Sequence, residues 1–334
     1  VRTASEYLGF WFKSILGGCL VAIFASFKIH LSHEGLAPVP QAFLYGLNYA
    51  VCFVLIYVLG ATLATKPPAL TASRLAESLE EGPDHESFAE LVRAIWRSQF
   101  VSFLGNIFGA ALFAALFALL FAKLTGSNLT SREEGLYLYE KMHPIASGTI
   151  FYAAIAGVML SVAGFFAGFV DNAVVFHRLG ERVQAGAGVF RRLGPGMRAR
   201  LGGRIEKSAG AISGNVLLGF MLGSAGSLGV ILGIPFDIRH IAFASSHGTL
   251  ALLSAPELVT LGHITVVLLA VSVIGFVNFV VSFSLTLSVA VNARRLEGID
   301  WRSQMRAVAR LVRANPLGFV LPIGWRRSRR AGVD

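Results

Sequence analysis

The sequence predicts an all-α fold, a polytopic membrane helix bundle of about six transmembrane helices with both termini in the cytoplasm, and three observations lead there. Of 334 residues, 54% are hydrophobic and 14% charged, where a soluble domain is about one quarter charged. Charge-free apolar windows recur along the chain, long enough to supply the about 20 residues that cross about 30 Å of hydrocarbon. Lys and Arg concentrate in alternate connections, as segments held in the cytoplasm do.

The first span is bracketed by Lys13 and Lys28, which leave only the 14 residues of 14–27 uncharged. Lysine stems snorkel, so a helix over 8–31, about 36 Å long at 1.5 Å per residue, would place each ammonium in its own headgroup layer. The later windows trim by hydropathy to spans near 42–64, 100–122, 149–170, 211–233 and 264–290. The fifth carries Gly214, Gly219, Gly223, Gly226, Gly229 and Gly233, which allow close approach by neighbouring helices.

The bundle is assigned to residues 1–292, with a cytoplasmic helical hairpin at 65–98 and a basic cytoplasmic connection at 171–210. In the hairpin, Ala72, Leu75, Ala76 and Leu79 form one apolar stripe ended by Gly82-Pro83. Phe88, Leu91, Val92, Ile95 and Trp96 form another after Ser87, with Glu90 completing a capping box, and this helix runs on into the third span. After the fifth span, 234–258 contains an apolar stretch with Ser245, Ser246 and His247 that is too short and polar to cross. It is expected to re-enter the bilayer or to lie on the outer surface. The tail, 293–334, is a basic amphipathic cytoplasmic segment: Trp301, Met305, Val308 and Val312 share one helical face, Arg302, Arg306, Arg310 and Arg313 another, and Asn315-Pro316 ends the helix. Such a helix suits an anionic membrane surface. No internal repeat is evident at periods of 20 to 50 residues, and no residues match between two inverted halves.

The N-terminal segment, 65–99, 171–210 and the tail after 291 hold 23 Lys and Arg, against 4 in 32–41, 123–148 and 234–263. The net charge of +10 is thus explained by anchoring to the lipid bilayer and contact with anionic lipids at the cytoplasmic face. The cytoplasmic helices are candidate surfaces for protein partners. Nucleic acid is the weaker reading, because aromatics do not interleave the Arg-rich runs 177–207 and 326–330 as a nucleic-acid groove would require. Cys19 and Cys52 lie in apolar runs and read as small hydrophobes; no phosphate-binding loop or dinucleotide fingerprint is present, and no cofactor or metal is expected. The chain begins with Val1 and is expected to be part of something longer.

Polar groups inside hydrocarbon are costly unless paired, so they are the candidates for function. Asn48, Asn106, Asn215 and Asn278 fall within spans, and Asp171-Asn172 near the inner end of the fourth. Asp171 is either an ion-linked carboxylate in a cavity or an interfacial residue that caps a helix or pairs with an arginine. Asp237, Arg239 and His240, with His247 following, form a polar cluster, which would bind a ligand, relay protons or close a charge-paired corner. His30, His33 and Glu34 could share a metal only with ligands brought from elsewhere.

Several stretches resemble a bacterial family catalogued as site-specific recombinases, known as large inner-membrane proteins mainly from proteobacteria. The resemblance covers most of the chain and is carried by Phe27-Lys28-Ile29-His30-Leu31, Ala64-Thr65-Lys66-Pro67-Pro68-Ala69-Leu70-Thr71, Leu222-Gly223-Ser224-Ala225-Gly226 and Gly233-Ile234-Pro235-Phe236-Asp237-Ile238-Arg239-His240. It implies a multi-pass protein of the bacterial inner membrane whose membrane part follows a longer soluble region. A tyrosine recombinase needs a Tyr nucleophile and an Arg/His/Arg pocket, yet only Tyr7 of the seven tyrosines falls outside a span on the cytoplasmic side, and no His is followed by Arg three residues on. A serine recombinase would need a soluble catalytic domain. With no catalytic constellation recognisable, the expected role is a structural, assembly or regulatory membrane component. The alternatives are a transporter or channel built on the intramembrane polar residues, a membrane-tethered recombinase whose catalytic part lies outside this chain, and an enzyme acting on lipid-linked substrate beside His240 and His247.

Overall fold

Backbone groups in hydrocarbon find partners only within their own helix, and each long apolar window accordingly folds as a helix. A computed structural model describes residues 3–64, 69–80 and 85–322. Thr65-Lys66-Pro67-Pro68, Gly82-Pro83 and 326–330 lie outside the described residues. The helices are α1 (Ala4–Ser32), α2 (Pro38–Val58), α3 (Ala69–Glu80), α4 (His85–Thr125), α5 (Arg132–Met142), α6 (Thr149–Phe176), α7 (Leu179–Gln184), α8 (Pro195–Leu232), α9 (Ile241–Ser254), α10 (Leu261–Ala293) and α11 (Trp301–Ala314). Among the described residues there is no strand, and six helices, α1, α2, α4, α6, α8 and α10, are long and apolar enough to cross a membrane. Phe12, Phe43, Phe151 and Phe169 are more than half exposed on their outer faces, the apolar surface that a bilayer covers.

Several helices run past the hydropathy spans, α6 on to Phe176 and α8 from as early as Pro195, and two further boundaries differ in kind. The second span starts at Pro38 and stops at Val58, because Gly60 takes a left-handed conformation (φ 66°) and the chain then turns back into the bundle. Residues 59–64 are as apolar as the helix before them, so hydropathy does not register the turn. The capping box at Ser87 is not formed: α4 already begins at His85, and Glu90 pairs with Arg93. From there α4 runs unbroken for 41 residues into the third span.

α2 packs along α8, α1 along α4, and α6 between α8 and α10. Glycines permit the closest approaches: a Cβ at Gly219 or Gly223 would collide with the α2 backbone at Ala50 or Tyr45. At the arginine-rich end, Leu75, Phe88, Ile95 and Phe279 form a cluster against which Val308 packs, and Arg97 donates to the Gly318 carbonyl at 2.8 Å.

α9 is the element that shapes the site. Its 14 residues extend about 21 Å, too little to cross, and Ile241–Ser246, Gly248, Leu250 and Ala251 are buried among α1, α4, α5 and α10. α9 is packed inside the bundle rather than laid along its outside. Residues 234–240 lead inward and α9 leads out again, antiparallel to α10, with Ile241 against Asn278 and Gly275 and Gly248 against Val267.

Such an inward turn leaves backbone groups that no helix satisfies, and an asparagine takes them up. Asn278 accepts the Ile241 N–H (3.2 Å) and donates to the carbonyls of Arg239 (2.9 Å) and Ala153 (2.8 Å). After α2, Asn106 accepts the Ala64 N–H (2.6 Å) and donates to the carbonyls of Thr62 (2.9 Å) and Ser14 (2.6 Å).

Candidate functional site

The inward segment begins where α8 stops. Gly233 is left-handed (φ 64°), and Pro235 has no N–H with which to continue a helix. The Asp237 carboxylate then accepts the Ile238 N–H through Oδ1 at 2.8 Å and faces two cations through Oδ2: Arg239 Nη1 at 2.7 Å and Lys141 Nζ at 3.4 Å. Arg239 also donates to the Lys141 carbonyl from Nε (3.3 Å) and Nη2 (3.1 Å), with its guanidinium 5.3 Å from the Tyr152 ring centroid. Burial alone would raise the Asp237 carboxyl, but the Arg239 and Lys141 charges and the hydrogen bonds to Arg239 and the Ile238 N–H hold it below its ordinary value. His240, next along the chain, is 1% exposed, with its ring 5.7 Å from that of Phe243. Burial pushes it down to about 4, so the imidazole is neutral at pH 7.

These residues form one wall of a cavity of about 370 Å³ enclosed by α1, α2, α5, α8 and α9. On the opposite wall Lys28 projects its ammonium over two aromatic rings, 4.9 Å from the centroid of Tyr45 and 5.1 Å from that of Tyr49. Glu134, also on the lining, is engaged by His33 Nε2 at 3.1 Å. The Tyr45 hydroxyl is buried beside Ser32 and Gln41 without reaching hydrogen-bonding geometry. Three cations, Lys28, Lys141 and Arg239, thus share the cavity with two carboxylates that already have partners, and Lys28 has no carboxylate at ion-pair distance among the described residues. Tyr49, Phe243 and Met142 add apolar surface. The arrangement can hold a small anion with an apolar body.

The structure brings Asp237, Arg239, His240 and His247 together at this cavity and places the other candidates elsewhere. Asp171 and Asn172 are exposed, and Asp171 Oδ1 accepts the Gly210 N–H at 2.9 Å, tying α6 to α8. Asn215 is buried in α8, Asn48 donates to the Phe24 carbonyl at 2.8 Å, and Asn106 and Asn278 are the backbone clamps. His30 faces Phe121 while His33 pairs with Glu134, and no group of three or more metal-ligating side chains occurs among the described residues. On α11, Arg302, Arg306, Arg310 and Arg313 form an exposed stripe beside exposed Trp301, Met305 and Val312. Val308 leaves the expected apolar face for the interior, because Gln304 and Ala307 set the packed side of the helix.

Sequence reasoning missed Lys28, Lys141, Tyr45 and Tyr49. Lys28 lines the cavity at the end of the inward stripe of Val21 and Ala25, and that small-residue spacing was the available signal. Lys141 carries no such signal, since only the fold brings α5 against the inward segment.

Compared with known proteins, residues 1–322 match the family model described as site-specific recombinase. No curated protein and no solved structure matches the chain.

Proposed function

The chain belongs to the site-specific recombinase family, and from that premise we propose that it is a multi-pass protein of the bacterial inner membrane, both termini cytoplasmic, that binds a small organic anion in the cavity between α1, α2, α5, α8 and α9. The observation that carries this reading is Lys28, a cation held over Tyr45 and Tyr49 in a cavity where Asp237 and Glu134 already have partners. A half-buried charge inside a helix bundle is costly without a counter-ion, and an anionic ligand would supply one. A volume of about 370 Å³ falls within the about 300–1,000 Å³ of small-molecule sites. DNA strand exchange by these residues finds no support, since the polar groups gathered here line a cavity between helices. The role as a regulatory or assembly component remains compatible, with ligand occupancy as its input.

Heat unfolding of the purified protein in detergent tests the reading, with butyl phosphate and benzoate as probes and butylammonium as the control. The anions should raise Tm and the cation should not. Lys28→Met should abolish the anion effect while raising Tm without ligand, because it removes a half-buried cation that has no carboxylate at ion-pair distance among the described residues. An equal anion shift in the variant would contradict the assignment.

The exposed Arg stripe of α11, next to Trp301, Met305 and Val312, supports a separate contact with anionic lipid at the cytoplasmic face.

A further inference from the structure

The chain is built twice, in opposite directions, and from this we propose that it is a carrier whose halves exchange conformations to move the cavity's anion across the membrane, an inference that rests on the anion-binding reading of the cavity.

The duplication is visible in the backbone bonds. Asn106 and Asn278 each accept the N–H of one residue, Ala64 or Ile241, and donate to the carbonyl two residues before it, Thr62 or Arg239, and to a carbonyl of an earlier long helix, Ser14 or Ala153. One residue ahead of each of those helix carbonyls the pattern continues: Thr62 N–H donates to the Lys13 carbonyl (3.0 Å), and Arg239 N–H to the Tyr152 carbonyl (3.2 Å). Gly18 and Gly157, each four residues beyond the clamped carbonyl, sit where a Cβ would meet the carbonyl oxygen of Asn106 or Asn278. The preceding helices also end alike. Gly60 and Gly233 are both left-handed, and the next N–H reaches five residues back, Ala61 to Ile56 at 2.9 Å and Ile234 to Gly229 at 3.0 Å.

The series α1, α2, α3, α4 therefore corresponds to α6, α8, α9, α10. The packing agrees: α9 of the second half lies on α4 of the first, and α3 of the first on α10 of the second. α2 and α8 cross antiparallel, Ala50 on Gly219 and Gly46 on Gly223, and the numbering offset that equates Gly60 with Gly233 exchanges these two pairs. That is the contact rule of a twofold axis, residue i on j and j on i. Successive spans alternate in direction, so α1 and α6, three spans apart, run oppositely. The axis then lies in the membrane plane, as in inverted-repeat carriers.

The halves differ at the site. Ala61 alone separates Gly60 from Thr62, whereas 234–238 separates Gly233 from Arg239, and the extra residues include Asp237. In the second half, α8 lies directly on α6, a Cβ at Gly210 or Gly214 meeting Ala167 or Ala163, with Tyr57 bonded to Ser208 at 3.0 Å toward the same end. In the first half, α1 and α2 meet at Phe24 and Asn48 and flank the cavity farther along, at Lys28 and Tyr45. One half is open and its counterpart shut. Interchanging the two states closes α1 on α2, parts α6 from α8 and separates Tyr57 from Ser208, which moves the opening to the other face.

The test uses the full chain with Cys19→Ala and Cys52→Ala, Ser227→Cys on the cavity wall, and Tyr57→Cys with Ser208→Cys as an oxidisable latch. A membrane-impermeant maleimide is added to right-side-out and to inverted vesicles. With the latch reduced, position 227, read by mass spectrometry of its own peptide because the free latch thiols react as well, should be labelled from both faces; with it oxidised, from one. In proteoliposomes, uptake of labelled butyl phosphate should fall to the level of empty liposomes on oxidation and return with dithiothreitol in the same sample, which separates latching from misfolding. Labelling from one face whatever the state of the latch would overturn the carrier, even if butyl phosphate protects position 227. Labelling from both faces without such protection would uphold the exchange and overturn the anion assignment.

Discussion

Asn106 and Asn278 each make three main-chain hydrogen bonds, one to a carbonyl of an earlier helix, Ser14 or Ala153, and two to the inward turn. Replacing either by Ala leaves buried donors and acceptors unsatisfied, at about 1–3 kcal/mol apiece. Asn106→Ala and Asn278→Ala should therefore each lower the unfolding midpoint markedly in detergent, and by similar amounts; a variant as stable as wild type would mean that its clamp is dispensable. Acidification acts at the same scale. His240 is depressed to about 4 from 6.5, so between those values the unfolded chain takes up a proton that the folded protein does not. Stability is then full above about 6.5 and falls toward pH 4, by about 3 kcal/mol at 1.36 kcal/mol per pH unit. Asp237, held below its ordinary 3.8, adds a loss only below about pH 4. Midpoints measured against pH should slope down from 6.5 in wild type and less steeply in His240→Asn; parallel profiles would remove His240 as a cause. The four asparagines and the Asp237 to His247 cluster are legible in the sequence as polar residues in apolar surroundings. Their partners are not, since Lys141 lies 96 positions from Asp237 and only tertiary structure joins them.

Among the elements, the long helices follow from hydropathy and the two inward turns do not. Residues 59–64 continue the apolar run of α2, and only the left-handed Gly60 shows that the helix has ended. α9 is apolar enough for a span but too short for one, and its placement depends on α4 and α10 offering an interior groove. The α2–α8 crossing is where an element can be tested. Gly223→Leu would drive a side chain into the α2 backbone at Tyr45 and Gly46, and overpacking of this kind costs about 1–3 kcal/mol. A drop in Tm is expected for Gly223→Leu but not for Gly164→Leu, whose Cβ meets nothing within 4 Å. Equal effects at both sites would show that the crossing is not tightly packed.

For the whole molecule, the bundle class and number of long helices were legible because both rest on composition and window length. The inverted relation between the halves was not, because backbone geometry conserves it and side chains do not: the aligned Asn, Gly and Gly pairs are separated by unlike residues and by the extra residues around Asp237. The proposed orientation rests on charge asymmetry and is directly measurable. An alkaline phosphatase fusion after Ser147 should be active in the periplasm and one after Asp334 inactive; the reverse would invert the assigned topology. Within that frame everything functional turns on the cation over two tyrosines. The most direct measurement is a solid-state magnetic-resonance distance from the phosphorus of bound butyl phosphate to the labelled Lys28 Nζ in the membrane-embedded protein. Direct contact predicts about 4 Å, since a charge-assisted N–H···O bond spans about 2.8 Å. Phosphorus found only beside the arginines of α11, with no coupling to Lys28, would contradict the account.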